Sequence, residues 1–433
     1  MSIILSLVIT FTIAVAGQTV PGRAFDRLIT IWLGHEDFNS SVNNAVINNL
    51  SSQGILLDEY YSLTHPSQPN YVGSIGGDYF GLDHDNFTRI PRNVSTIVDL
   101  LDTKNIDWRG YFEDSPGPGY MGPENVRSDG KTDYVRKHNP FVQYDSINFN
   151  GTRLSRLLSF RDFDHELKAN SLPQYIHISP NVLNDGHETT SLFALNWTDS
   201  FLGPLLKNTE LMNRTLILLT YDESKTPNQP NRVTSLLLGG AIPENLRNTT
   251  DSTLYTHYSI ISTVENNWDL PCLGRYDVGA NVFELVASQT NYSNIPSPNL
   301  SLVNNSFSYH GFLNSDPAKH LPMPPPNLNL TGAGGQGVVK VVMDFWKDTA
   351  KNDTPYDGSG RLFDGGDGTN NQQAPQYQAQ DSNIRGLKKG AAAKFNNKKS
   401  LAARKNNLNS EGLCFWVIFG LSTGLTAVFS FIV

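Results

Sequence analysis

Four short stretches of this chain set nucleophilic, acidic or imidazole side chains where chemistry would need them. The first is Thr64-His65-Pro66-Ser67-Gln68-Pro69-Asn70-Tyr71, which follows an apolar run and leads into Gly-rich sequence. A serine at a strand end, between two prolines that restrict the backbone, presents its hydroxyl toward a cleft, so Ser67 is a candidate nucleophile. Asn70 beside it carries amide hydrogens suited to a developing negative charge. The same residues also read as a Pro-flanked helix start with Ser67 as N-cap.

The second stretch is Leu183-Asn184-Asp185-Gly186-His187-Glu188. Carboxylate and imidazole are common ligands for zinc and related metals, and Asp185 and His187 on one Gly-containing loop can turn toward a single cation. An Asp-Gly pair is also an ordinary turn. The third is Leu216–Glu223, a wholly apolar run that ends abruptly in Asp222 and Glu223. Adjacent carboxylates at the end of a buried strand are costly without a cation or donors, although both acids could simply mark where the strand meets solvent. The fourth is Tyr255-Thr256-His257-Tyr258-Ser259, where His257 either completes a set with Asp185 and His187 or is a helix-capping or core histidine. Ser67, Asp222 and Glu223 would then form a second, carboxylate-rich set nearby.

Elements able to position these residues follow from periodicity. Arg27–Leu33, Ile55–Leu63, Trp108–Glu113, Tyr175–Ser179, Thr215–Tyr221 and Ser235–Leu238 read as strands. Helices are expected at Val94–Asp102, Arg153–Lys168, Leu192–Leu206 and Tyr258–Trp268. This alternation predicts an α/β domain around a mostly parallel central sheet flanked by helices, with chemistry at the carboxyl ends of its strands.

The chain ends suggest export. Residues 1–16 form an apolar leader with Ala14 and Ala16 spaced for cleavage, and residues 17–321 are ample for one large domain. Asn-x-Ser/Thr sequons begin at Asn39, Asn49, Asn86, Asn93, Asn150, Asn196, Asn213, Asn248, Asn291, Asn299, Asn304, Asn329 and Asn352, about double the number composition alone would give. Only Cys272 and Cys414 occur, so no disulfide framework holds the fold. A net charge of −8 leaves no footprint for nucleic acid.

Residues 322–356 open on Pro322-Met323-Pro324-Pro325-Pro326 and read as a linker, with Val338–Trp346 as a segment able to pack back. Residues 357–412 are too polar and basic to bury a core and read as disordered. Leu413–Val433 is apolar, uncharged and long enough to cross a bilayer. It suits either a retained span or a cleaved lipid-anchor signal preceded by the small residues Ser400–Ala403 and the polar Arg404–Gly412. Both place the protein in the secretory pathway, extracellular or at the cell surface.

In order, these stretches resemble the phosphoesterase family that contains secreted fungal acid phosphatases and bacterial phospholipase C-type enzymes. The resemblance runs from about Leu28 to Asp277, through His65–Gly77, Gly77–Gly81, Lys137–Phe141, Ser179–His187, Thr220–Glu223, Leu236–Gly240 and Tyr255–Asp277, and the fungal acid phosphatase branch is the most similar. It implies an alkaline phosphatase-like core, divalent metal ions, a small phosphate-ester substrate and attack by a hydroxyl nucleophile. It assigns Ser67 as nucleophile with Asn70 as its polar neighbour, and makes Asp185, His187, Asp222, Glu223 and His257 ligand or phosphate-contact positions. Lys137 and His138 are implied to lie near the substrate. One departure stands out: where the family usually carries a metal-binding Glu-Asn pair after the first strand, register on Leu33 and Phe38 puts Gly34 and His35. Glycine has no ligand atom, so His35, Glu36 or Asp37 would have to compensate, His35 by its imidazole. The alternatives to a phosphomonoesterase are a phospholipase C-like phosphodiesterase and a catalytically impaired surface binding protein.

The leader and sequons predict that expression in a eukaryotic host gives a glycoprotein that loses mass on N-glycosidase treatment. A cytosolic product of unmodified mass would exclude export.

Overall fold

The computed structural model describes residues 19–296, 300, 303, 305–348 and 354–360. The leader at residues 1–16 and the apolar segment Leu413–Val433 lie outside the described residues, as does the polar tail beyond residue 360. Among the described residues no helix is long and apolar enough to cross a membrane.

Eight strands form one sheet in the order Thr249–Asp251, Ile55–Leu57, Ser235–Leu238, Thr215–Tyr221, Arg27–Leu33, Tyr175–Ser179, Trp108–Phe112 and Leu157–Ser159. Every pairing is parallel except the two made by Ser235–Leu238. The sheet is therefore mostly parallel, with helices packed around it, as the alternation of apolar runs predicts. Its centre is the sequence RLITIWL, in which every residue after Arg27 is buried. Both faces of a central parallel strand are covered, so continuous apolar sequence rather than alternation marks it. Arg27 closes the amino end of this strand by donating to the Pro173 and Leu172 carbonyls.

Two elements differ from the sequence expectation. The run Ile55–Leu63 is divided by a turn at Asp58-Glu59 into Ile55–Leu57 and Tyr60–Tyr61, and the second piece pairs with Tyr255–Thr256 in a separate small sheet. The expected helix Arg153–Lys168 is interrupted by the edge strand Leu157–Ser159, which pairs with Gly110–Phe112. Ser159 then caps a new helix, Phe160–Lys168, through a reciprocal arrangement with Asp162. Leu157 and Leu158 serve the sheet, because tertiary pairing outweighs weak local periodicity.

The expected linker is also part of the fold. Met323 is fully buried and Pro324–Pro326 are buried with it. Val338 bridges to Cys272, and Val339 N–H donates to the Cys272 carbonyl at 2.8 Å. The helix Lys340–Trp346 then seats Trp346 at 1% exposure, its indole N–H donating to the Asn93 carbonyl. Farther on, the Tyr356 hydroxyl accepts from Arg275 at 2.9 Å and donates to buried Asp78. Prolines supply apolar surface at little cost in side-chain entropy, so a Pro-rich segment can strap a core without forming a ladder. The folded unit thus continues well past Leu321.

The same packing sorts the sequons. Asn39, Asn49, Asn86, Asn150, Asn196, Asn213, Asn248, Asn291 and Asn329 are exposed. Asn93 is not available in the folded chain, because its amide nitrogen is buried beneath the strap. Asn299, Asn304 and Asn352 lie outside the described residues.

Deleting a buried tryptophan side chain typically costs about 3–5 kcal/mol. Trp346→Ala is accordingly expected to lower the denaturant midpoint of unfolding markedly. An unchanged midpoint would show that the strap is not part of the cooperative unit.

Candidate active site

Three neighbouring parallel strands deliver the site. Leu33 pairs with Tyr221, so Gly34 and Asp222 emerge side by side, and Asp222 N–H donates to the Leu33 carbonyl at 3.0 Å. On the other side, Gly34 N–H donates to the Asp185 carbonyl at 2.9 Å, tying in the loop that follows Tyr175–Ser179. Glu113 holds that loop from below, accepting from Asn181 N–H and twice from the Asn184 amide. Asp185 Oδ1 in turn accepts from His187 N–H at 2.7 Å.

Ser67 is the first residue of the helix Ser67–Gly76, with Pro66 at the N-cap position making no side-chain cap. Its hydroxyl is free of any capping duty and instead donates to Glu223 Oε1 at 2.9 Å. The other oxygen of Glu223 meets Nδ1 of His65. Ser67 and Glu223 are 156 residues apart in sequence and are joined only by the fold.

Asp185 and Asp222 are almost completely buried, and Asp185 Oδ2 and both Asp222 carboxylate oxygens have no hydrogen-bond partner. His138 lies between them, with Nδ1 3.1 Å from Asp185 Oδ2 and Nε2 3.9 Å from Asp222 Oδ2, and neither ring nitrogen has a hydrogen-bonded partner. Burial pushes the Asp185 carboxyl up to about 7. Burial, and then the charge of Glu223, hold Asp222 well above the ordinary carboxylate range. Burial and the neighbouring Lys137 ammonium hold His138 well below the usual imidazole value, so it is neutral. Two buried carboxylates and a neutral imidazole with free donor atoms have the chemistry of a cation site. Among the described residues, however, no three His, Cys, Asp or Glu side chains are grouped as a ready ligand set.

Lys137 is beside this cluster, its ammonium 2.9 Å from Asp85 Oδ2 and 3.2 Å from His187 Nε2. His187 also meets Glu188 through Nδ1, so both its nitrogens are engaged. His35 faces the cluster, its ring 4.9 Å from that of His187. Burial and then His187 lower its proton affinity. Glu36 turns away, accepting from Asp37 N–H and from the Ser40 hydroxyl.

Three expectations from sequence need correction. Asn70 is fully buried, and its amide is committed to the chain around it: Oδ1 accepts from Leu63 and Thr64, while Nδ2 donates to the Thr64 and Pro66 carbonyls. Its amide is spent on the turn that presents Ser67. His257 has no open nitrogen, since Nε2 bonds the Asp222 carbonyl at 2.8 Å and Nδ1 meets the Tyr60 hydroxyl at 3.2 Å. Burial lowers its pKa to about 4, and it braces the loop bearing Asp222 as a neutral ring. His138, expected at the substrate, lies at 2% exposure among the carboxylates.

Sequence reasoning passed over His65, Asp85 and His177. His65 is within the motif itself, but nothing local says that it faces Glu223. His177 looks like a strand residue; in the fold its Nε2 meets Ser179 Oγ, which donates to the His138 carbonyl at 2.9 Å. This buried relay fixes the backbone that carries His138.

Residues 37–271 match the Phosphoesterase family. A probable acid phosphatase of Kluyveromyces lactis is 45% identical over 76% of this chain and 77% of its own. A phosphate-repressible acid phosphatase of Penicillium chrysogenum is 50% identical over 64% and 67%, respectively. A phosphatidylinositol-3-phosphatase of Mycobacterium tuberculosis is 29% identical over 53% and 71%. Among solved structures, an alkaline phosphatase superfamily protein of Vibrio parahaemolyticus covers 57% of this chain and 67% of its own, at 10% identity and a TM-score of 0.38, too distant a likeness to add to the assignment. With more than half of its length matched and fungal acid phosphatases similar over most of it, the chain belongs to the phosphoesterase family and is a phosphoric ester hydrolase.

Proposed function

We propose that the chain is an acid phosphatase acting on small phosphate monoesters, with Ser67 as nucleophile and a divalent cation at the buried carboxylates. The observation that carries this reading is the Ser67 hydroxyl aimed at Glu223, beside buried Asp185 and Asp222, whose Oδ2 and two carboxylate oxygens, respectively, lack hydrogen-bond partners. The names of the fungal relatives favour monoesters over diesters.

Asp185, Asp222 and Glu223 would hold the cation, with His138 or His35 as imidazole donors. When bound, the cation supplies positive charge that lowers the proton affinity of the hydroxyl and offsets charge on the transferring phosphoryl group. This chain's own residues do the rest. Glu223 accepts the Ser67 hydrogen and aims the oxygen for in-line attack on phosphorus. The Ser67 O–P bond forms as the ester O–P bond breaks, the departing alkoxide takes up the proton that Ser67 gave to Glu223 and leaves as the alcohol, and water later cleaves the phosphoseryl bond, returning the hydroxyl to Ser67 and releasing phosphate. Lys137 offers an ammonium to the phosphate oxygens. Asn70 and His257 keep the Ser67 turn and the Asp222 loop in place.

The glycine after the first strand weakens the cation site. A Cβ at Gly34 would lie 3.3 Å from Asp185 Oδ1, from the Asp185 carbonyl oxygen and from His187 N, so a side chain there would start against the Asp185–His187 loop. A carboxylate at that position would share the cation with Asp185, whereas here only His35 reaches the cluster from this strand. Export, N-glycosylation and attachment through Leu413–Val433 belong to the same reading, supported by the leader and the exposed sequons.

Ser67→Ala is expected to lower phosphomonoester turnover by about a thousandfold or more while leaving the fold intact. A wild type inert toward monoesters and diesters with excess divalent metal would sink the reading. Gly34→Glu adds a third carboxylate to a buried pair, so it should lower Tm in chelator and show a larger metal-induced rise in Tm than the wild type. An equal rise in both would mean that Gly34 is not at the cation.

A further inference from the structure

Asp85, two residues beyond Asp83 in an otherwise unremarked loop, makes contacts that link two parts of the site. Its Oδ2 accepts from the Lys137 ammonium at 2.9 Å, and its Oδ1 accepts from Gln68 N–H at 3.0 Å. Gln68 follows Ser67 and lies in the first turn of the helix, where backbone N–H groups lack intrahelical partners. The Gln68 side chain fastens the same loop from its other end, donating to the Asn86 carbonyl at 3.0 Å and to Thr88 Oγ1 at 2.8 Å. Asp85 is held as a carboxylate, its proton affinity lowered chiefly by Lys137 against the opposing effect of burial.

A lysine ammonium is a compact point charge on a flexible stem, and holding it in one place costs side-chain entropy unless a partner fixes it. We propose that Asp85 is a positioning residue that couples the phosphate-facing ammonium of Lys137 to the start of the helix bearing Ser67. Cation and nucleophile are thereby kept in register, and the anionic substrate meets both at once. This rests on the reading of the site as phosphate-binding.

The two bonds separate by substitution. Asp85→Asn keeps a carbonyl oxygen for Gln68 N–H and loses the charge that holds Lys137, whereas Asp85→Ala loses both. Loss of one charge-assisted hydrogen bond corresponds to about tenfold. In Asp85→Asn, the KM for a small monoester and the dissociation constant for inorganic phosphate, measured calorimetrically with metal present, should each rise about tenfold, with a smaller fall in kcat. Asp85→Ala should lower kcat about tenfold as well. In a Lys137→Met background, Asp85→Asn should no longer weaken phosphate binding, because the coupling partner is gone. Unchanged or tighter phosphate binding in Asp85→Asn would overturn the proposal, as would identical kcat in the two single variants. Should Asp85→Ala fail to fold, the phosphate affinities of Asp85→Asn with and without Lys137 decide the matter. A wild type that turns over no ester would defeat the functional reading, yet the phosphate titrations would still test Asp85.

Discussion

The structure depends on the burial of Asp185 and Asp222 at the carboxyl ends of strands on either side of Arg27–Leu33. Carboxylates removed from water are costly, and a protein retains them only where a cation, donors or a proton offset the loss of hydration. Here the donors are few: His187 N–H for Asp185, and for Asp222 at most the neighbouring Ser67 hydroxyl, whose effect is smaller than those of burial and of Glu223. The surrounding architecture supplies rigidity instead. Gly34 N–H, Glu113 and His257 each hold the backbone of an acidic loop, and none of them neutralises the carboxylates themselves. The result is a rigidly held pair of buried acidic groups with few donors to offset their desolvation, which is why burial raises the pKa of both.

Ser67 is placed by a different set of forces. Asn70 makes bonds on both sides of the Thr64–Pro66 turn, and Asp85 and Gln68 clamp the helix start from outside. A hydroxyl at the first helical position has no cap to make, so it can point at Glu223. Preorganisation of this kind matters because a displaced attacking oxygen loses the advantage of alignment. The amide of Asn70 and the carboxylate of Asp85 beside Ser67 are therefore occupied in holding its turn and helix start.

Farther from the site, the Pro-rich strap completes the core. Trp346 bonds the Asn93 carbonyl, Tyr356 bonds Asp78, and Arg275 joins Pro324 to Tyr356. The strap shows how composition misleads: proline lacks a donor for ladders, yet it buries apolar surface well when the path is already extended.

The sequence by itself determined the strands Arg27–Leu33, Tyr175–Ser179, Thr215–Tyr221 and Ser235–Leu238, because buried parallel strands are continuous apolar runs with abrupt polar ends. It also marked Ser67, Asp185, Asp222 and Glu223, since their placement at strand and turn boundaries is local. Tertiary structure alone decided what each neighbour does. Asn70, expected to donate its amide hydrogens to developing charge, and His257, expected as a ligand, became braces, because hydrogen-bond partners such as the Pro66 and Asp222 carbonyls are known only once the chain has folded. His65 and Asp85 looked like loop residues and became contacts of Glu223 and Lys137, across separations that no local pattern encodes. A residue's type fixes which bonds it can make; only the fold fixes which atoms are there to make them with.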